Sequence, residues 1–411
     1  MKDNTEKNIK VCLLTLGAYP VPATEGGAVE TLVEIMAENY QSGDFECSLD
    51  IISKYFKSAE KQTYKYEKVN FRFIKYSSVA LKLYKQIKRV VRKIFGFTPV
   101  RLAPYFSKAL KLIRKEKYDI VIVENGMYFV EPLKKYCNSS VIFHLHNDFS
   151  NFEGQKPEVL VRNADMIITV SDYVSNKVKK SVGCDYPVVT VKNVFDTAHF
   201  SEDLHKRQEA KNIRETYGFS KDDVVCLFVG RLIPEKGIHL LLDAIEKIDD
   251  SGIKLLVVGG TAFRDSCRTE FEEKLYSKAK KLGSRVAFTG YVDYKDIPSY
   301  YHACDIVVFP SQWEEAAGLV VLEAQSAGKP VIIAQSGGMP EYVCEKSAII
   351  VEKGCDFTDN LVKAINTLSS SCDLRKKMGN SGISFSEKYD KEGYFNEIIK
   401  AIEKTLFRNK G

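Results

Sequence analysis

The feature that most constrains this chain is an alternation of short strand-like runs with helix-like stretches, and it occurs twice. The first series opens at Ile9-Lys-Val-Cys-Leu-Leu-Thr-Leu16, passes through a glycine-bearing loop to Gly27 and enters a helix near Ala28. Further strand-like runs lie at residues 118–123, 140–145, 166–170 and 188–191. The second series opens at Val224-Val-Cys-Leu-Phe-Val229 and continues at 254–258, 285–289, 305–309 and 330–333. Apolar strands that alternate with helices pair as parallel sheets covered on both faces. The expected fold is therefore α/β, with two Rossmann-like, doubly wound domains facing across a cleft. The expected boundaries are 1–205 and 206–380, joined through the charged stretch at 201–212. Residues 381–411 are expected to carry an amphipathic helix, about 394–407, that packs back toward the first domain. Ligands of such sheets bind outside the carboxyl ends of the strands, so the chemistry is sought in the loops there.

Composition narrows the setting. With 411 residues there is room for two ordinary domains, and 45% hydrophobic with 28% charged residues describes a soluble globular protein. No apolar run approaches the ~20 residues that cross a bilayer, and the N-terminus lacks the apolar core of a signal peptide. Ten cysteines stand singly with no CxxC pair, as small core residues of a reducing compartment do. The expected location is cytoplasmic.

The net charge of +6 is uneven. Between Lys54 and Arg101 there are fourteen Lys or Arg against two acids, Glu60 and Glu67. Inside that segment residues 79–95 fit a helix. Ala80, Leu83, Tyr84, Ile87, Val90, Val91, Ile94 and Phe95 recur at helical spacing, and Lys82, Lys85, Lys88, Arg89, Arg92 and Lys93 lie around the other side. Two readings stay open: an anionic membrane surface meets the helix, or it packs on a core and solvates its basic face. Nucleic acid is not an expected partner, because no binding motif accompanies the charge.

Several loops carry groups that suit an anionic, hydroxyl-rich ligand. Gly230-Arg231-Leu-Ile-Pro-Glu-Lys236-Gly237 follows the first strand of the second series and places two cations beside a helix start, as a diphosphate requires. Glu315-Ala-Ala-Gly318-Leu319-Val320-Val-Leu-Glu323 crosses from a loop into a helix expected over 318–327. It puts a carboxylate on each side of the first-turn N–H groups of Gly318, Leu319 and Val320. Gly337-Gly338 follows another strand, and Tyr291-Val292 offers either a wall for a nucleotide base or ordinary packing. In the first domain Gly26-Gly27 precedes the first helix without the dinucleotide-binding spacing. His144 and His146 share a strand face, with His146 nearer the strand end. No third ligand stands at an informative spacing from them, so no metal is expected. A histidine that hydrogen-bonds a sugar or orients a phosphate is the preferred reading.

Taken together these residues resemble the retaining family-4 glycosyltransferases of the GT-B fold, along nearly the whole chain and most strongly in its second half. The resemblance rests on Gly26-Gly27, His146, Asn193-Val-Phe-Asp196, Gly230-Arg231 with Lys236-Gly237, and Glu315 to Glu323 followed by Gly337-Gly338. Residues 311–318 and 144–148 look like bacterial members that build cell-surface polysaccharides. The resemblance implies that Arg231 and Lys236 neutralise the donor diphosphate and that Glu323 binds the ribose. It implies that Glu315 contacts the donor sugar, that Gly318 to Val320 offer N–H groups, that Gly27 closes on the diphosphate and that His146 lies near the sugar. It also implies transfer with retention, by front-face attack and without metal or cofactor. Two departures stand out. Ala316-Ala317 precede Gly318 where many relatives carry an aromatic residue, and Asn193-Val194 replaces a common Asn-Gly.

The expected activity is transfer of a hexose or N-acetylhexosamine from a nucleotide sugar, UDP-linked, to a glycan, lipid-linked or protein acceptor. The basic segment favours an acceptor at the inner face of the plasma membrane. The alternatives are a nucleotide-sugar 2-epimerase, whose motifs fit poorly, and a catalytically silent coat or scaffold protein that binds sugars. A phosphorylase would need a pyridoxal phosphate lysine site, for which the sequence offers no sign.

Overall fold

The computed structural model describes residues 9–95, 100–149, 158, 161–260 and 269–408. The chain forms two compact units, Met1–Lys192 with Lys391–Gly411, and Asn193–Asp390. In the first unit the strands are β1 (Ile9–Leu14), β2 (Cys47–Lys54), β3 (Val69–Ile74), β4 (Ile120–Glu124), β5 (Ser140–Leu145), β6 (Met166–Thr169) and β7 (Val188–Thr190). They pair throughout in parallel, in the order β3-β2-β1-β4-β5-β6-β7. The second unit holds β8 (Val224–Val229), β9 (Ile253–Val258), β10 (Val286–Gly290), β11 (Ile306–Phe309), β12 (Val331–Ala334) and β13 (Ala348–Val351). This sheet is parallel too, ordered β10-β9-β8-β11-β12-β13. In each unit the order reverses once, between β1 and β4 and between β8 and β11, and a crevice opens where the strands on either side lead away in opposite directions.

Central strands are wholly buried, as in β4, β6, β11 and β12. Three strands escape the sequence reading: β2, β3 and β13. Asp50 interrupts β2 but is neutralised inside the unit, where the Tyr118 hydroxyl donates to it at 2.6 Å and Arg72 Nε at 2.9 Å. Edge strands β3 and β13 alternate or are short, which is how an edge exposed to water reads.

Both expected boundaries move. Phe195 and Phe200 are buried in the core of the second unit, with the Phe200 ring 5.8 Å from that of Tyr301. The charged stretch expected to link the domains is instead the helix Leu204–Thr216, capped by Asp203 and burying Ala210 and Ile213, with its charges on the solvated face. The helix Cys372–Ser386 packs on the helix Leu319–Ser326, so residues 381–390 also belong to the second unit. The closing helix Tyr394–Arg408 lies in the first unit against the helix Ala28–Ser42. There Phe395 meets the Tyr40 ring edge-on at 5.7 Å, and its N–H donates to Asn39 Oδ1 at 3.1 Å.

The basic helix spans Ser78–Phe95. Val79, Leu83, Ile87 and Val90 are exposed, by 71%, 55%, 40% and 58%, along one stripe spaced four, four and three residues apart. Ala80, Leu81, Tyr84 and Val91 are half-buried beside that stripe, and the basic residues occupy the remaining flank. Core packing therefore does not account for the stripe. The side chains of Ile94 and Phe95 lie outside the described residues. Nine described cysteines are free thiols, and Cys267 lies outside the described residues. Among the described residues no helix is long and apolar enough to cross a membrane.

Candidate active site

In the second unit the loops after β8 and β11 flank the crevice, and close backbone approach ties them together. Gly237, at φ +71°, starts the helix Ile238–Lys247; a Cβ there would stand 1.9 Å from the carbonyl oxygen of Pro310. Gly337, at φ +54° after β12, would clash likewise with the Glu315 carbonyl at 2.3 Å. Only glycine satisfies both the backbone angle and the space at these two positions. Hydrogen bonds complete the joint. Gln312 and Trp313 donate their N–H groups to the Glu235 carbonyl at 2.8 and 3.1 Å, and Gly338 N–H donates to Glu315 O at 2.7 Å.

This frame brings Lys236 and Glu315 together. Lys236 Nζ donates to Glu315 Oε1 at 2.6 Å, and the Ser311 hydroxyl donates to the same oxygen at 2.6 Å. Arg231 is exposed and makes no ion pair among the described residues. The neighbouring Glu314 is committed to Lys353. The helix after Glu315 runs Leu319–Ser326, one residue shorter at each end than expected, with Gly318 as its N-cap. No side chain caps it, and a helix leaves its first N–H groups without intrahelical acceptors.

Glu323 is buried within that helix, and the Tyr301 hydroxyl donates to its Oε2 at 3.0 Å. Burial pushes its carboxyl up to about 7, with hydrogen bonds from Tyr301 and Tyr294 pulling the other way. Tyr291 is exposed just past β10, while Val292 packs on the core. Asn193 is buried, its N–H donating to the Tyr342 hydroxyl at 3.1 Å and its Oδ1 unpaired.

In the first unit the corresponding loops follow β1, β4 and β5. Gly26 and Gly27 precede the helix Ala28–Ser42, with Gly27 as its N-cap and Glu30 buried in its first turn. Burial raises the Glu30 carboxyl, and the nearby Glu124 charge adds to the rise. His144 and His146 do share a face, with ring centroids 4.0 Å apart. Between them lies a residue the sequence reading missed: Glu124, the last residue of β4. Its Oε2 is 2.7 Å from His146 Nε2 and 3.0 Å from His144 Nδ1.

All three are buried, and their ligating atoms fall within 4.8 Å of one another, which corrects the expectation that no third ligand stands near. Burial by itself would raise the Glu124 carboxyl, but the two imidazoles outweigh it and hold the group at about 2. Burial, helped by His144 and opposed by Glu124, pushes His146 down to about 4. At neutral pH Glu124 is thus a carboxylate and His146 a neutral ring. The only cue to Glu124 in the sequence was a carboxylate closing a wholly apolar strand, a pattern shared by many capping residues.

Residues 209–385 match the family model described as glycosyl transferases group 1. Over 250 residues the chain is 28% identical to the lipopolysaccharide 1,2-N-acetylglucosaminetransferase of Salmonella typhimurium, a stretch covering 59% of this chain and 61% of that one. It is 27% identical over 389 residues to spore coat protein SA of Bacillus subtilis, which covers 90% of this chain and 93% of that protein. In fold it is similar to the Anabaena protein HepE, solved in complex with UDP-glucose, with a TM-score of 0.74 and 19% identity, over 97% of this chain and all of that one.

Proposed function

We propose that the chain, whose residues 209–385 match the model of the group 1 glycosyl transferases, is a retaining, family-4 hexosyltransferase. It takes a hexose or N-acetylhexosamine from a UDP-linked donor and acts without metal or cofactor in building a cell-surface glycan. The observation that carries this reading is the joint after β8, β11 and β12, which presents Lys236, Glu315 and an uncommitted Arg231 on loops locked by Gly237 and Gly337. Two cations at the mouth of a switch-point crevice suit a diphosphate that leaves with its charge neutralised. Glu315 would then exchange part of its bond to Lys236 for hydroxyls of the sugar. Glu323 would accept the ribose hydroxyls, and Gly318, Leu319 and Val320 would offer their N–H groups. Tyr291 and Val292 would border the base, and Asn193 would help hold the donor. In the first unit, Gly26, Gly27 and His146 would meet a substrate at that unit's own loops after β1 and β5.

The acceptor we propose is a saccharide presented at an anionic lipid surface, on the cytoplasmic side. The exposed stripe Val79, Leu83, Ile87 and Val90, flanked by six basic residues, is the feature that supports it. Each basic residue near such a surface contributes about 1 kcal/mol.

Spore coat protein SA, matched over 90% of this chain, favours a second reading: a sugar-binding coat protein without turnover. One experiment separates the two. Calorimetry against UDP, GDP, ADP and their sugar conjugates, with and without EDTA, should find one nucleotide sugar bound tightly and insensitively to EDTA. Slow release of free sugar should accompany it, and both should vanish in Lys236→Ala. Binding without any turnover supports the coat reading; binding of no nucleotide refutes the enzyme.

A further inference from the structure

The chemistry proposed above gives Glu124 no task, yet its carboxylate is one of the most completely enclosed charged groups described. It ends β4 next to the point where the strand order reverses, and it grips β5 twice. Its side chain meets His146 Nε2 at 2.7 Å, while the following residue, Asn125, accepts the backbone N–H of His146 on Oδ1 at 3.3 Å. Asn125 in turn donates its N–H to the His144 carbonyl at 2.8 Å. A carboxylate has no proton to give, so the short contact is Nε2–H donating to Oε2. That leaves Nδ1 of His146 as a bare lone pair, buried and without a hydrogen-bond partner.

We propose that Glu124 is a positioning residue that fixes the His146 proton on Nε2, so that Nδ1 works as an acceptor from a hydroxyl of a saccharide substrate and not as a donor to a phosphate oxygen. This deepens the glycosyl-transfer reading and rests on it for the identity of the ligand. The histidine's two conceivable tasks, holding a sugar or orienting a phosphate, differ in the direction of one hydrogen bond, and the tautomer decides between them. His144 Nδ1 lies 3.0 Å from the same Oε2, so both rings bear on one oxygen of the carboxylate. Glu30, on the helix Ala28–Ser42, is the further charged group near Glu124, and burial together with repulsion from Glu124 raises the Glu30 carboxyl. The same three side chains could in principle enclose a divalent cation. A 2.7 Å contact, however, is shorter than the ~3 Å or more between two ligands each ~2.1 Å from a metal, and it suits a hydrogen bond.

The test reads the proton directly. In protein labelled with 15N at histidine, two-bond proton–nitrogen spectra at neutral pH should give His146 with Nε2 protonated and Nδ1 bare. A His146→Asn variant assigns the signal. Glu124→Gln, which offers an amide N–H to the ring, should shift His146 toward the Nδ1–H tautomer. Donor turnover should fall about 100-fold in kcat, with KM and UDP affinity within about two-fold of the wild type. Glu124→Asp, shorter but still an acceptor, should keep the wild-type tautomer and recover part of the rate.

A protonated Nδ1 in the wild type overturns the proposal, and this holds even where Glu124→Gln fails to fold. So does a Glu124→Gln protein with unchanged tautomer and rate. Loss of activity in EDTA that returns with added manganese or zinc would hand the three side chains to a cation and overturn it as well. Failure of the wild type to bind any nucleotide sugar would overturn the functional reading and the sugar hydroxyl with it, while the spectrum still decides whether Glu124 sets the tautomer.

Discussion

Lowering the pH from about 8.5 to about 5.5 is expected to weaken nucleotide-sugar binding by a bounded factor, through Glu323. Burial raises its carboxyl to about 7, and the hydrogen bonds of Tyr301 and Tyr294 only partly oppose that rise. Where Glu323 accepts ribose hydroxyls, the ionised form makes charge-assisted hydrogen bonds and the protonated form ordinary ones. The difference is about 1–1.5 kcal/mol, or about 5–10-fold in Kd, so affinity should fall to a plateau and not vanish. A ten-fold preference moves the bound carboxyl to near pH 6, and binding at pH 7 should then release about 0.4 proton. Calorimetry in two buffers of different ionisation enthalpy measures that release. The probe must be the sugar diester, because a terminal phosphate itself titrates near pH 6.

Stability runs the other way. A carboxyl raised above its ordinary 4.5 favours the fold when protonated. That contribution, about 3 kcal/mol, is complete below pH 4.5 and lost as pH rises through 7. Glu323→Gln should therefore be more stable than the wild type at pH 8, and its binding should be flat between about pH 6 and 8.5. No proton release in the wild type, or the same release in Glu323→Gln, would refute the reasoning.

Three further outcomes are expected. Lys236→Ala and Glu315→Gln should each lower kcat/KM, the first by about 100-fold or more, and the double variant should show a coupling of about 1 kcal/mol or more, because the two side chains meet at 2.6 Å; additivity within about 0.3 kcal/mol in steady-state kinetics would count against the shared site. Gly237→Ala should cost more than about 2 kcal/mol in urea unfolding, since its Cβ has no room beside Pro310 and its φ is +71°. Changing Lys82, Lys88, Arg92 and Lys93 to Glu, or Leu83 and Ile87 to Ser, should reduce co-sedimentation with anionic vesicles while nucleotide-sugar hydrolysis persists; unchanged sedimentation in both would remove the membrane role.

The fold was legible wherever burial imposes a continuous apolar run. β4, β8, β11 and β12 are central strands, and β4 up to its last residue and the other three throughout carry no polar gap. β2 is central too, but Asp50 breaks its run, and only the tertiary partners Tyr118 and Arg72 make that carboxylate acceptable. The boundary at residue 205 failed for a related reason. Lys206, Arg207, Glu209 and Lys211 read as a solvated linker, yet two apolar residues, Ala210 and Ile213, suffice to seat their helix on the core. A dense charge face hides a narrow apolar one, and the sequence alone weights the wrong side.

The site divides along the same line. Residues that act through backbone or through loop position announce themselves, because glycine and a strand end mark where they must be. Gly237 and Gly337 are glycines for reasons of contact that only coordinates reveal, but their places after β8 and β12 were readable. Groups that act through a buried side chain leave no such mark. Ser311 was part of a motif, yet nothing in its spacing says that its hydroxyl joins Lys236 on one oxygen of Glu315. Tyr301 lies 22 residues from the carboxylate it serves, and Glu124 lies 22 from His146. The second pair comes together because parallel strands β4 and β5 lie in register, with Glu124 opposite His144. Register follows from which residues the two helical layers bury, and that is a property of the whole sheet. Two imidazoles and a carboxylate converge there at the carboxyl ends of adjacent strands, where an open α/β sheet keeps its chemistry. A β4 ending in an apolar residue would leave the same fold and the same histidines, but the His146 ring would then lose the carboxylate that, among the described residues, accepts its Nε2 proton.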